Sequence, residues 1–183
     1  MNNEQYRRAN RVVFPVVMIV TISIILMLAT YYMTGRGDWT THVEMGSAIL
    51  ATIVSSIVFI LRKDTKFCST TLLVSASFTY FMLMAFGDSI YTYVYAFPIL
   101  FSSMALLNMR YVIGGNSVIL ISCVIHAIRI FNSPAYGKLM AGDAIRVMML
   151  TIVLTIFASI AVTKLLLKFN REKAESIEQA AQV

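Results

Sequence analysis

His126 and Arg129 stand three residues apart in an otherwise apolar stretch, and Cys123 lies one turn before them. On a helix all three share a face. An imidazole and a guanidinium side by side offer hydrogen-bond donors and positive charge, the chemistry that holds a small, anionic ligand. Asp143 and Arg146 repeat the spacing, and Asp88 and Glu44 fall at the same level, where apolar runs meet polar connections. Charged groups within apolar runs are costly and by default mark function. The candidate ligand-binding set is therefore His126, Arg129, Asp143, Arg146, Asp88, Tyr91 and Tyr95. The competing account is interfacial: the arginines reach outward and pair locally with Asp. It weighs more on Asp143 and Arg146 than on His126 and Arg129, which lie further in. Tyr91 and Tyr95, four apart above Pro98, either line a cavity beside a kink or anchor the chain at an interface.

The residue types of catalysis do not converge. Only His42 and His126 are present, on different runs. There is no His-Glu-x-x-His zinc motif, no Gly-x-Ser-x-Gly nucleophile turn and no Gly-x-x-x-x-Gly-Lys loop. A proton-coupled transporter wants a carboxylate near the midplane of the membrane, and no Asp or Glu lies deep in any run. No enzyme, cofactor or metal centre is expected.

The elements that must position these residues are apolar. The 183 residues are 58% hydrophobic and 13% charged, with mean hydropathy +0.77. A soluble domain carries about a quarter charged residues, so the fold expected is an all-α membrane protein. The net charge of +6 does not argue for nucleic acid, because positive-inside connections give the same excess. Six runs of spanning length cover residues 12–33, 43–61, 67–86, 90–107, 112–131 and 143–167. Pro15 is expected in a first turn, where a missing N–H does little harm, and Pro98 is expected to bend the fourth helix. With the N-terminus inside, eleven Lys and Arg (Arg7, Arg8, Arg11, Arg62, Lys63, Lys66, Arg110, Lys164, Lys168, Arg171, Lys173) fall inside. Only Arg36, Arg129, Lys138 and Arg146 fall outside. Both termini are therefore expected in the cytoplasm, with Trp39, Tyr31, Tyr32, Tyr91 and Tyr136 near the outer boundary. Cys68 and Cys123 support no disulfide framework. Hydroxyls and small residues four apart (Thr151, Thr155, Ser159, Thr163; Ser47, Ala51, Ser55; Thr71, Ser75, Thr79) read as helix-packing stripes.

From Asp143 onward there is neither Gly nor Pro, and helix formers continue past the apolar stretch. Residues 1–167 are read as a six-span bundle, and 168–183 as the start of a cytoplasmic signalling helix. Leu167, Asn170, Ala174, Ile177 and Ala181 follow a 3-4 spacing, a seam for relay through a coiled coil; the competing reading is a frayed amphipathic tail. No C-cap signal closes the pattern, so a longer coil is expected beyond it.

Two segments carry a family resemblance: Tyr93, Val94, Tyr95, Ala96, Phe97, Pro98, Ile99 and Leu100 with Arg110 following, and the tail Glu172, Lys173, Ala174, Glu175, Ser176, Ile177, Glu178, Gln179, Ala180 and Ala181. With the six-run layout they resemble the amino-terminal sensor region of those bacterial methyl-accepting chemotaxis proteins in which six spans replace the usual two-span sensor. The resemblance implies a chemotaxis transducer in the cell membrane. It implies a homodimer through the sixth helix and its tail, and a chemotaxis kinase and coupling protein engaged only through a region absent from this sequence. No methylation or kinase-control residue is carried over. Similar sensors precede histidine kinases and diguanylate cyclases. A different class also fits the length, the six-span substrate-binding subunit of an energy-coupled vitamin importer, which has no need of a heptad-bearing tail.

Overall fold

The computed structural model of the chain describes residues 3–180, Glu178 by its backbone alone. The described residues form helices α1 (Asn3–Met33), α2 (Trp39–Arg62), α3 (Lys66–Phe86), a short 3-10 turn (Thr92–Tyr95), α4 (Ala96–Ala105), α5 (Met109–Asn132) and α6 (Lys138–Ala180). Among them α1, α2, α3, α5 and α6 are long and apolar enough to cross a membrane.

The helix ends follow local chemistry. Gly35, at φ +69°, ends α1 in the left-handed region that glycine enters without a Cβ penalty. Behind it the Arg36 amide donates to the Tyr31 carbonyl at 2.8 Å. Asp38 opens α2 with a reciprocal cap: its carboxylate accepts from the Thr41 amide at 3.0 Å, and its own amide donates to the Thr41 hydroxyl at 3.3 Å. Hydrogen bonds from the Thr40 hydroxyl and the Thr41 amide hold the Asp38 carboxyl down at about 2. This cap persists above that pH and is lost only as pH falls through it. Thr65 and Asn108 cap α3 and α5 more simply, their side chains accepting from the Cys68 and Arg110 amides.

Packing places α3 at the centre, against α1, α2, α4 and α5, while α2 and α6 lie on opposite flanks. Cys68, Leu72, Ala76, Tyr80 and Met84 of α3 are fully buried. The outside is apolar: Ile19, Leu26, Ile53, Ile60, Phe101, Ile128, Leu150 and Phe157 are exposed. Much of the polar inventory is inside, the inverse of a water-soluble bundle. The hydroxyl stripes pack between helices. Thr79 donates to the Ser75 carbonyl, and the Asn116 amide donates to Ser159 at 3.0 Å, tying α5 to α6. Thr52 donates to Thr21 at 3.0 Å between α2 and α1. Both cysteines are free and buried, with the Tyr80 hydroxyl 3.3 Å from the Cys123 sulfur.

Asn10 is fully buried at the Asp64 end of the bundle. Its amide donates to the Lys63 and Thr65 carbonyls at 2.8 and 3.2 Å, and its oxygen accepts from Ser69 at 2.7 Å. One side chain of α1 thus closes the α2–α3 turn.

Three expectations are corrected. The fourth run is not one spanning helix: the 3-10 turn and ten-residue α4 occupy Thr92–Ala105, and Leu107, at φ +47°, turns the chain into α5. Pro98 lies in the first turn of α4, not inside a long spanning helix, so its missing N–H breaks no ladder bond of α4. Pro15 lies inside α1, because the polar residues from Asn3 onward extend that helix.

Candidate functional site

At the end of the bundle carrying the α1–α2, α3–α4 and α5–α6 connections, α3 stops at Phe86. Its last carbonyls and those of the following segment need donors. Side chains of α5 and the next connection supply them. His126 is 1% exposed; its ring nitrogens lie 2.9 Å from the Met84 carbonyl and 3.2 Å from that of Ser89. Arg129 donates to the Gly87 carbonyl at 3.2 Å and to the Asp88 carboxylate at 3.1 Å. The Tyr136 hydroxyl donates to the Asp88 carbonyl at 2.6 Å. Burial and the Asp88 carboxylate push the Tyr136 phenol above its ordinary value, so it remains a donor through neutral pH. A guanidinium at a helix C-terminus also meets the negative end of the helix dipole. The donors of His126 and Arg129 are therefore directed at main chain and at Asp88, and they fix residues 87–89.

In front of that anchored segment lies a cavity of about 400 Å3, within the range of small-molecule sites. Asp38, Glu44 and Asp88 line it with Tyr31, Tyr91 and Tyr136, and Arg36 and Met140 complete its rim. Two of the seven sequence-chosen residues, Asp88 and Tyr91, face this space. His126 and Arg129 stand behind its wall. Tyr95 lies lower, its hydroxyl 3.8 Å from the Met27 sulfur. Because Tyr91 precedes a 3-10 turn that Tyr95 ends, the two do not share the α-helical face expected of them. Asp143 lines a neighbouring shallow groove with Tyr91, Met140 and Val147. Arg146 bonds Asp143 at 3.0 Å, and both side chains are largely exposed, at 80% and 63%.

Glu44 was legible only as a carboxylate at the right level. It is 4% exposed and faces the cavity, one turn into α2. No sequence signal singles it out; in the fold it stands near Gly87, where a Cβ would be 3.4 Å from a Glu44 carboxylate oxygen and 2.4 Å from the Leu83 carbonyl. Among the described residues no three His, Cys, Asp or Glu side chains converge closely enough to hold a metal ion.

Fold and cavity together define a class: an apolar-surfaced helical bundle with a polar pocket at one end and one helix running far beyond the other. No protein-family model, curated protein or solved structure matches the chain.

Proposed function

We propose that the chain is a membrane sensor module of six spans, with both termini cytoplasmic, that perceives a small ligand at its outer end. The signal passes through α6 to a cytoplasmic coiled coil, as in chemotaxis transducers. The observation that carries this reading is α6 itself. It runs 43 residues without interruption from Lys138 to Ala180, about 65 Å at 1.5 Å per residue, roughly twice a hydrocarbon core. Its first turn places Met140 at the pocket rim. A helix with no hinge carries axial or rotational movement from that rim to the opposite side.

The tail also asks for a partner. Leu167 is half-buried, near Arg8 and Val12 of α1, whereas Asn170, Ala174 and Ile177 are exposed; Ala181 lies outside the described residues. Leu150, Leu154, Phe157 and Phe169 are also exposed on α6, which packs chiefly against α5 and α4. A second copy of the chain is the simplest way to cover the seam. The reading assigns no catalytic step.

Two experiments test it. With Cys68 and Cys123 replaced by serine, an impermeant thiol reagent added outside should label cysteine at Thr34 or Gly137, but not at Asp64. Reversed labelling overturns the topology. Single cysteines along residues 167–181 should cross-link between chains with maxima at Asn170, Ala174, Ile177 and Ala181. A flat profile would mean that the tail has no seam, removing the main support for relay.

A further inference from the structure

The candidate set drawn from the sequence pointed to an anionic ligand. The cavity walls have the opposite character. Asp38, Glu44 and Asp88 contribute three carboxylates, against one guanidinium on the rim from Arg36. Arg129 pairs with Asp88 from behind and does not line the space. Glu44 sets the preference. It is 96% buried by residue area, yet its carboxylate accepts no hydrogen bond and joins no ion pair among the described residues. Asp88, Asp38 and Arg129 act on it only through space. A buried carboxylate without a donor is costly unless something supplies one, and the open side of Glu44 is the cavity.

We propose that this cavity is a binding site for a small organic ammonium ion, its positive head against Glu44. The proposal rests on the sensor reading only for what binding accomplishes. Three features select this class of ligand. The carboxylate needs a positive donor or counter-charge. Tyr31, Tyr91 and Tyr136 line the space, and aromatic rings attract an organic cation electrostatically. And the acidic residues do not converge as a metal's ligands would, so a cation that spreads its charge over a larger, partly apolar surface fits better than a bare ion.

The test uses the whole chain in lipid nanodiscs, with binding measured by calorimetry. The probes are choline and n-butylammonium, with 3,3-dimethylbutanol as the uncharged isostere of choline. At least one ammonium probe should bind at up to millimolar concentration, and the alcohol should not. Glu44→Gln, nearly isosteric, should weaken ammonium binding by about tenfold or more, the loss expected for one charged partner. Tyr91→Leu, at an exposed position, should weaken it several-fold. Glu172→Gln in the tail should leave it unchanged. Melting temperature is recorded for each variant, and if Glu44→Gln unfolds, Tyr91→Leu alone decides. The proposal is overturned if neither ammonium probe binds, if the alcohol binds equally, if acetate binds instead, if calcium or sodium alone occupies the site, or if the two pocket variants bind as the parent does. Ammonium binding that leaves inter-chain cross-linking of the tail unaltered keeps the site and removes the sensor reading. Tail cross-linking at the 3-4 positions without ammonium binding does the reverse.

Discussion

Asn10→Leu is expected to destabilise the bundle by about 2–4 kcal/mol, since it strips partners from several buried polar groups at once. The Lys63 and Thr65 carbonyls lose their side-chain donor, and the Ser69 hydroxyl loses its acceptor. The polar clamp between α1 and the α2–α3 turn then has no replacement, because leucine fills the volume without a hydrogen bond. Thermal melting in detergent should show the loss, and thiol labelling of a cysteine at Thr65 should accelerate. Asn10→Asp should fare little better: a carboxylate faces two carbonyl oxygens with nothing to donate. Arg7→Gln is the contrast. It removes a half-exposed ion pair to Asp64 at 3.5 Å, an interaction worth at most about 1 kcal/mol. Equal effects from Arg7 and Asn10 would show that the clamp is not what holds this end together.

The second large effect is on relay. Proline at Lys168 or Asn170 should break α6 just past its apolar stretch, because it removes a backbone donor and its ring clashes with the preceding turn, at about 3 kcal/mol locally. Spin labels at Leu154 and Ala174 should report one narrow distance near 30 Å in the parent helix, 20 residues at 1.5 Å, and a broad distribution in the proline variants. If α6 relays a signal as proposed, the same substitutions should abolish output while ammonium binding at the opposite end persists. Unimpaired output would show that the signal does not travel along α6.

The long elements were readable because each is a sustained apolar run bounded by caps: Asp38 before α2, Thr65 before α3, Asn108 before α5. The fourth run looked equally apolar, but hydropathy carries no information on pitch. It does not show that residues 92–95 wind as a 3-10 turn or that Leu107 reverses the chain. Asn10 escaped for a related reason. The apolar run begins at Val12, whereas the polar residues before it continue α1 as a helix and bring an amide against a turn more than fifty residues later in sequence. At the site, the spacing of His126 and Arg129 placed them on one face, and the structure keeps them there. Spacing could not reveal that their donors would face the end of α3. The unpartnered carboxylate of Glu44 follows from tertiary packing alone, since nothing within α2, where it stands just past the first turn, sets it apart from a solvated acid.

The short fourth element has a mechanical consequence for the surrounding lipid. Four residues of 3-10 helix and ten of α-helix rise about 23 Å in all, some 7 Å less than a typical hydrocarbon core. Phe101 and Val94 are exposed along this face, so in the six-span arrangement proposed above acyl chains would meet it directly. There the bilayer would pinch inward toward the Leu107 reversal and Asn108, while beside α1 and α6 it would keep full thickness. Each ångström of mismatch costs a fraction of a kcal/mol. The deformation energy of the annulus therefore varies with acyl-chain length, and reconstitution into shorter-chain lipids relieves it on one side of the molecule only.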